Sequence, residues 1–176
     1  MGDKGESVFG KIVLPKSDAI FEALGCLDEL NAVIGFCKTE ARKNPSAGGK
    51  KIAGNLHAVQ HVLFIIQAEV AAARFNFRFE KRLTEESVVQ LEKKIADIDR
   101  QIPEITKFVI PGGSELSSRL ELARTAARKS ERIVVKYKSK ISPNAITYLN
   151  RLSSYLFALA RFVNFKLKIK EENPKY

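Results

Sequence analysis

Between residues 52 and 73 the apolar side chains Ile52, Leu56, Val59, Leu63, Ile66, Val70 and Ala73 follow one another at intervals of 4, 3, 4, 3, 4 and 3. On a helix of about 3.6 residues per turn this spacing draws one apolar stripe, and such a stripe must be covered by other helices. Ile20, Leu24, Leu27, Leu30, Ile34 and Cys37 draw a second stripe, and the breaker-rich stretch from Asn44 to Gly49 separates the two. A third helix is predicted from Val88, Leu91, Ile95 and Ile98, with Thr84 as N-cap and Glu85 and Glu86 suited to its first turn. Pro103 closes that region. After Pro111-Gly112-Gly113, Ser114 is positioned to cap a fourth helix whose stripe is Leu116, Leu120, Ala123, Ala127 and Val134. Ser142 followed by Pro143 starts a fifth, carrying Leu149, Leu152, Leu156, Leu159 and Val163 and expected to fray in the charged stretch from Lys166 to Tyr176. Residues 6–16 lack a helical period and read as an extended arm. The expectation is an all-α five-helix bundle with a short extended N-terminal arm, one domain over residues 1–176.

A chain of 176 residues can bury a sizeable core without disulfides or metals. Cys26 and Cys37 fall on one helix, about 16 Å apart at about 1.5 Å per residue, too far for a disulfide, so both read as buried structural thiols. The longest uninterrupted apolar run is the six residues Tyr155–Ala160, well short of the roughly 18 that mark a membrane span. The start, Met1 to Glu6, resembles neither a secretory signal nor a transit peptide, and cytoplasmic placement with no membrane partner is expected. Thirty basic against 20 acidic residues leave a net charge of +10. That excess attracts polyanions, whether nucleic acid, an anionic surface or a polyphosphate.

The fourth helix concentrates the candidate chemistry. At about 100° per residue, Arg124, Arg128, Glu131 and Arg132 occupy one arc bordering the apolar stripe. Guanidinium forks match phosphate oxygens, so the arc reads either as a polyphosphate clamp or as a salt-bridged surface. On the fifth helix Asn150, Ser154 and Arg161 form a polar stripe, and on the first Asp28, Glu29 and Asn31 interrupt the apolar pattern between Gly25 and Gly35. A mid-helix glycine costs about 1 kcal/mol relative to alanine, so two of them suggest a close neighbour or ligand. Gly2-Asp3-Lys4-Gly5 with Ser7 could offer backbone amides to phosphate, but the P-loop and dinucleotide signatures are absent. His57 and His61, four residues apart, have no third ligand at matching spacing, and no metal ligand set is expected.

Taken in order, Gly2-Asp3-Lys4-Gly5, Gly25 to Ala32 with Gly35, Phe108 to Gly113, Ala123 to Arg132 and Tyr148 to Phe157 closely resemble the PduO-type ATP:cob(I)alamin adenosyltransferases over residues 2–162. The resemblance implies a homotrimer with ATP and cobalamin, the corrinoid substrate, bound at subunit interfaces, and Mg2+ accompanying the nucleotide. It assigns the triphosphate to Gly2, Asp3, Lys4, Gly5, Ser7 and Lys16. Further ATP contacts fall to Arg128, Lys129, Glu131, Arg132 and Asn150. Asp28 and Arg124 match the family's interface salt-bridge pair, and Phe108 matches an aromatic at the lower axial face of cobalt. Phe108, Arg128, Asp28 and Arg124 are therefore the expected catalytic set.

The implied reaction is attack of Co(I) on the 5′ carbon of ATP with loss of triphosphate, giving adenosylcobalamin. It needs orientation and charge stabilisation but no protein nucleophile. An electron-donor reductase and an adenosylcobalamin-dependent enzyme are the implied partners. The sequence departs from the pattern in three places: no Thr precedes the Gly2 loop, Lys129 stands where a second Arg is common, and Ser154 replaces a frequent Asp. A basic nucleic-acid-binding module or a helical scaffold would also account for the charge and the helices. The first should interleave aromatics with the arginines of helix four, where none occurs between Arg124 and Arg132.

Overall fold

A computed structural model of the chain describes residues 4–10 and 12–175. An antiparallel hairpin, β1 (Glu6–Phe9) and β2 (Ile12–Pro15), precedes five helices: α1 (Ala19–Ala41), α2 (Gly49–Phe75), α3 (Glu85–Asp99), α4 (Glu115–Val134) and α5 (Pro143–Lys166). The extended arm of the sequence reading is thus a hairpin, in register from Glu6 opposite Pro15 to Phe9 opposite Ile12. Its tip reverses through Gly10 at φ 60°, a left-handed value that glycine adopts without a Cβ clash.

The helical stripes form one core. α1 packs on α2 and α4, α4 on α5, and α5 on α3; Leu27, Leu30, Ile34, Leu56, Leu63, Leu116, Leu120, Leu149 and Leu156 are fully enclosed. By length and composition α2 could cross a bilayer, unlike the expectation drawn from uninterrupted runs. Here its stripe from Ile52 to Val70 is buried within the bundle instead.

Thr84, Ser114 and Ser142 stand at the predicted helix starts, with side-chain cap bonds at the two serines only, and α1 has a cap, Asp18, that the sequence pattern does not mark. Asp18 accepts from Ile20 N at 3.0 Å to cap α1 and pairs with Arg74 of α2 at 2.8 Å. The Arg74 hydrogen bond, then that of the Ile20 amide, holds the Asp18 carboxyl below its usual range. Ser114 caps α4 by accepting from Ser117 N, and Ser142 caps α5 by accepting from Asn144 N. Thr84 stands at the start of α3 in extended conformation without a side-chain cap bond, its hydroxyl facing that of Ser87.

One buried carboxylate joins two loops to the bundle. Glu69, fully enclosed in α2, accepts from Leu83 N and Ser142 N at 2.6 Å each. Two backbone donors that would otherwise be orphaned are thereby satisfied. Both cysteines are free and buried, as expected.

Candidate functional site

The loop between α3 and α4 carries the most exposed phenylalanine among the described residues. Phe108 is 77% exposed, which sets aside an ordinary core role. It borders a cleft of about 540 Å³ whose walls include Ile105, Val109, Pro111, Glu121, Arg124 and Phe157. A second opening of about 600 Å³ shares Ile105 and Phe157 and is edged by Asp99, Glu104, Ser154 and Arg161. Phe157 of α5 thus stands between two clefts that meet under one loop.

The loop's shape follows from glycine and one asparagine. Gly112 and Gly113 take φ values of 144° and 100°, outside what side-chain-bearing residues favour. A Cβ on Gly113 would stand 2.5 Å from Asn164 Nδ2. Asn164, buried in α5, donates from Nδ2 to Gly112 O at 2.9 Å and accepts through Oδ1 from Ser114 N at 3.0 Å. Helix α5 therefore fixes both the turn and the start of α4.

On α4 the predicted arc is present. Arg124 and Glu131 are half-buried at its inner edge, whereas Arg128 and Arg132 are exposed. Glu131 accepts from Asn150 Nδ2 at 2.9 Å, and Asn150 Oδ1 accepts from Arg151 Nη1 at 2.9 Å. The structure so brings Glu131 and Asn150 together across the α4–α5 seam. Arg128 and Arg132 have no hydrogen bond or ion pair among the described residues, leaving their donor forks open. Lys129 differs: its ammonium bonds Glu29 of α1 at 2.9 Å, and that hydrogen bond holds the lysine above its usual range.

Asp28 and Arg124 do not meet within one chain. Arg124 bonds Glu121 of its own helix at 2.5 Å. Asp28 has no hydrogen bond or ion pair among the described residues and opens onto an apolar groove of about 640 Å³ that includes Phe9, Phe21, Leu24, Phe64 and Phe77. Gly25 lies in that groove, with nothing within 4 Å of the position a Cβ would take. Gly35 has a different reason, since its Cβ would meet Gln60 Nε2 of α2 at 3.3 Å.

Of the predicted triphosphate loop, Gly2 and Asp3 lie outside the described residues. Lys4 and Gly5 form a turn, Gly5 at φ 73°, closed by Lys16 N donating to Gly5 O at 2.7 Å. Ser7 is half-buried in β1. The hairpin is fastened through Phe9, which stacks on Phe75 at 4.2 Å and lies 5.5 Å from Phe77. His57 and His61 are exposed with their Nε2 atoms 3.3 Å apart, and no group of three metal-ligating residues occurs among the described residues.

Two buried polar side chains that position loops, Asn164 and Glu69, are absent from the sequence expectations. Asn164 was hidden in the leucine-rich pattern of α5, although a polar side chain on that buried stripe is itself the signal. Glu69 interrupts α2 in the same manner.

Helix α4 thus carries two open arginine forks, and Arg124 of the same helix lines the cleft that Phe108 borders. The cobalamin adenosyltransferase family model matches residues 1–163. The corrinoid adenosyltransferase of Bacillus subtilis strain 168 is 39% identical over 165 residues, 93% of this chain and 83% of that protein. The human corrinoid adenosyltransferase is 35% identical over 173 residues, 94% and 67% of the two chains. A variant PduO-type ATP:corrinoid adenosyltransferase from Lactobacillus reuteri complexed with ATP superposes with TM-score 0.86 at 31% identity, covering 99% of this chain and 97% of that one. Another variant of that enzyme, complexed with cobalamin and ATP, gives 0.85 at 31% identity, covering 99% and 94%. The chain belongs to the cobalamin adenosyltransferase family.

Proposed function

We propose that the chain transfers the 5′-deoxyadenosyl group of ATP to the Co(I) of a reduced corrinoid. The cobalt–carbon bond forms with the electron pair of Co(I), the bond from C5′ to the triphosphate oxygen breaks, and that pair leaves with triphosphate. The observation that carries this reading is the exposed Phe108 at an aromatic-walled cleft on the same molecule as the open arginines Arg128 and Arg132. A planar macrocycle suits the cleft, and the forks suit a leaving group that gains negative charge during the reaction. Glu131, held by Asn150, would orient the nucleotide between them.

Phe108 is assigned to the lower face of the corrin. An apolar ring there takes the place of the lower axial ligand and lowers the energy of the orbital that accepts an electron, which eases reduction of Co(II) to Co(I). Asp28 and Arg124 are assigned to a pair between subunits of a homotrimer, a role that suits two groups unpaired with each other in one chain. Lys4, Gly5, Ser7 and Lys16, with Gly2 and Asp3, are assigned to the triphosphate, and Mg2+ to the triphosphate as its counter-ion. With no three-ligand cluster among the described residues, such an ion would rely on phosphate oxygens and at most one or two carboxylates, the usual habit of Mg2+. Cytoplasmic placement, an electron-donor reductase and a downstream adenosylcobalamin-dependent enzyme complete the proposal.

The test is to supply ATP with cob(II)alamin and reductant, or with preformed cob(I)alamin, and to follow triphosphate and adenosylcobalamin. Phe108→Ala is expected to remain folded and lose most activity from Co(II), but less from Co(I). Equal loss from both states, with the lower ligand still displaced in the Co(II) spectrum, would remove Phe108 from the mechanism. No product from the unaltered protein would overturn the whole reading.

A further inference from the structure

Residues 167–175 do not fray but return along the loop that carries Phe108. The reversal is made by Lys168 in the left-handed region at φ 57°, after which Ile169 N donates to Asn164 O at 2.9 Å. Arg161, buried in α5, then gathers three segments. Its Nε and Nη2 donate to the two carboxylate oxygens of Glu171 at 2.6 and 3.1 Å, and Nη2 also donates to Pro103 O at 2.9 Å. Beyond this knot, Ile110 N donates to Glu172 O at 2.8 Å and Asn173 Nδ2 donates to Phe108 O at 2.7 Å.

These bonds act on the backbone directly around Phe108. The carbonyl of Phe108 and the amide of Ile110 lie on either side of Val109, and the returning segment holds both. Its ties are made by Glu171, Glu172 and Asn173, which add no large apolar side chain to the core. With the main chain fixed, the exposed ring retains only its own side-chain torsions.

We propose that residues 171–173 are a splint that pre-orients the Phe108 ring toward its cleft, and that Asn173 is a positioning residue for the corrinoid substrate. A loop ordered before its ligand arrives does not charge that ordering against binding. The substrate in this statement rests on the adenosyltransferase reading, whereas the splint itself rests on the hydrogen bonds alone.

Asn173→Asp tests it, since the side chain keeps its shape but the donor facing the Phe108 carbonyl becomes an acceptor. Three outcomes are expected together: an unchanged melting temperature, faster hydrogen exchange at the Ile110 amide, and a KM for corrinoid raised about threefold to tenfold with the KM for ATP unchanged. Bound Co(II) corrinoid should retain its lower ligand in a larger fraction of the spectrum. Asn173→Gln, which retains a donor, should recover much of the difference, and Lys170→Ala should match the unaltered protein. Unchanged exchange at Ile110 overturns the splint, and so does an equal rise in both KM values. If the unaltered protein makes no adenosylcobalamin, the functional reading fails by itself. Exchange at Ile110 then decides the splint alone, faster in Asn173→Asp supporting it and unchanged overturning it.

Discussion

Arg128 and Lys129 are adjacent cations in different circumstances. Lys129 is already bonded to Glu29, while Arg128 presents its donors to solvent. Arg128→Ala is therefore expected to weaken the response to ATP on the order of tenfold to a hundredfold, the loss of one charge-assisted contact, with the response to corrinoid little changed. Lys129→Ala should do less. Steady-state titration of each substrate separately checks both, and a corrinoid defect with normal ATP use would reverse the placement of the arc. Cys37 gives a prediction in pH. Burial pushes its thiol from 9.0 up to about 12, so the folded chain keeps a proton that the unfolded chain releases. The contribution of this thiol to stability is then fully present below about pH 9 and is lost as pH rises toward 12. Denaturant midpoints measured between pH 8 and 10 should decline, and Cys37→Ala should decline less steeply. The thiol should also resist alkylation until the protein unfolds.

At the scale of elements, the connections are held by single buried polar groups. Glu69→Ala would strand the Leu83 and Ser142 amides, at about 1 to 3 kcal/mol for each buried unsatisfied donor. Chemical denaturation should show a loss of about 2 to 6 kcal/mol, and a loss below about 1 would mean that water replaces the carboxylate readily. Gly113→Ala meets both a left-handed backbone and the side chain of Asn164; a cost of about 1 to 3 kcal/mol is expected. The five helices were legible because Ile52 to Ala73 and their counterparts repeat at helical spacing, and because Ser114, Ser142 and Pro143 mark starts with known chemistry. The arc from Arg124 to Arg132 was legible by the same geometry. Pairing of the arm into a hairpin was not, since Val8, Phe9, Ile12 and Val13 do not alternate with polar residues. Nor was the return of residues 167–175, because a segment fastened by scattered hydrogen bonds leaves no period to read. Whether Arg128 would be open and Lys129 engaged was also beyond spacing, as it depends on Glu29 arriving from another helix.

For the whole molecule, the apolar groove around Asp28 is the surface that the proposed homotrimer would cover. Phe64 is 60% exposed there, and Phe9, Phe21, Leu24 and Phe77 continue the surface. Phe36, exposed elsewhere on α1, is by contrast covered by the guanidinium of Arg119 at 3.6 Å. Contiguous apolar surface of this kind marks an interaction site. For the proposed homotrimer, Phe64→Glu is expected to lower the mass measured by light scattering toward that of a monomer and to abolish activity while leaving the helical content intact. Arg124→Ala should weaken the trimer and its activity as well, and a fully active trimeric variant would remove that residue from the interface. The knot at Arg161 bears on heat tolerance in a further way. The helices are held by a large apolar core, but residues 171–173 are held by a few polar bonds near solvent, and segments of that kind open first. On warming, the returning segment should detach before the bundle melts. Turnover would then fail several degrees below the loss of helical signal, and brief heating followed by cooling would restore it in full, since nothing but a strap had come undone.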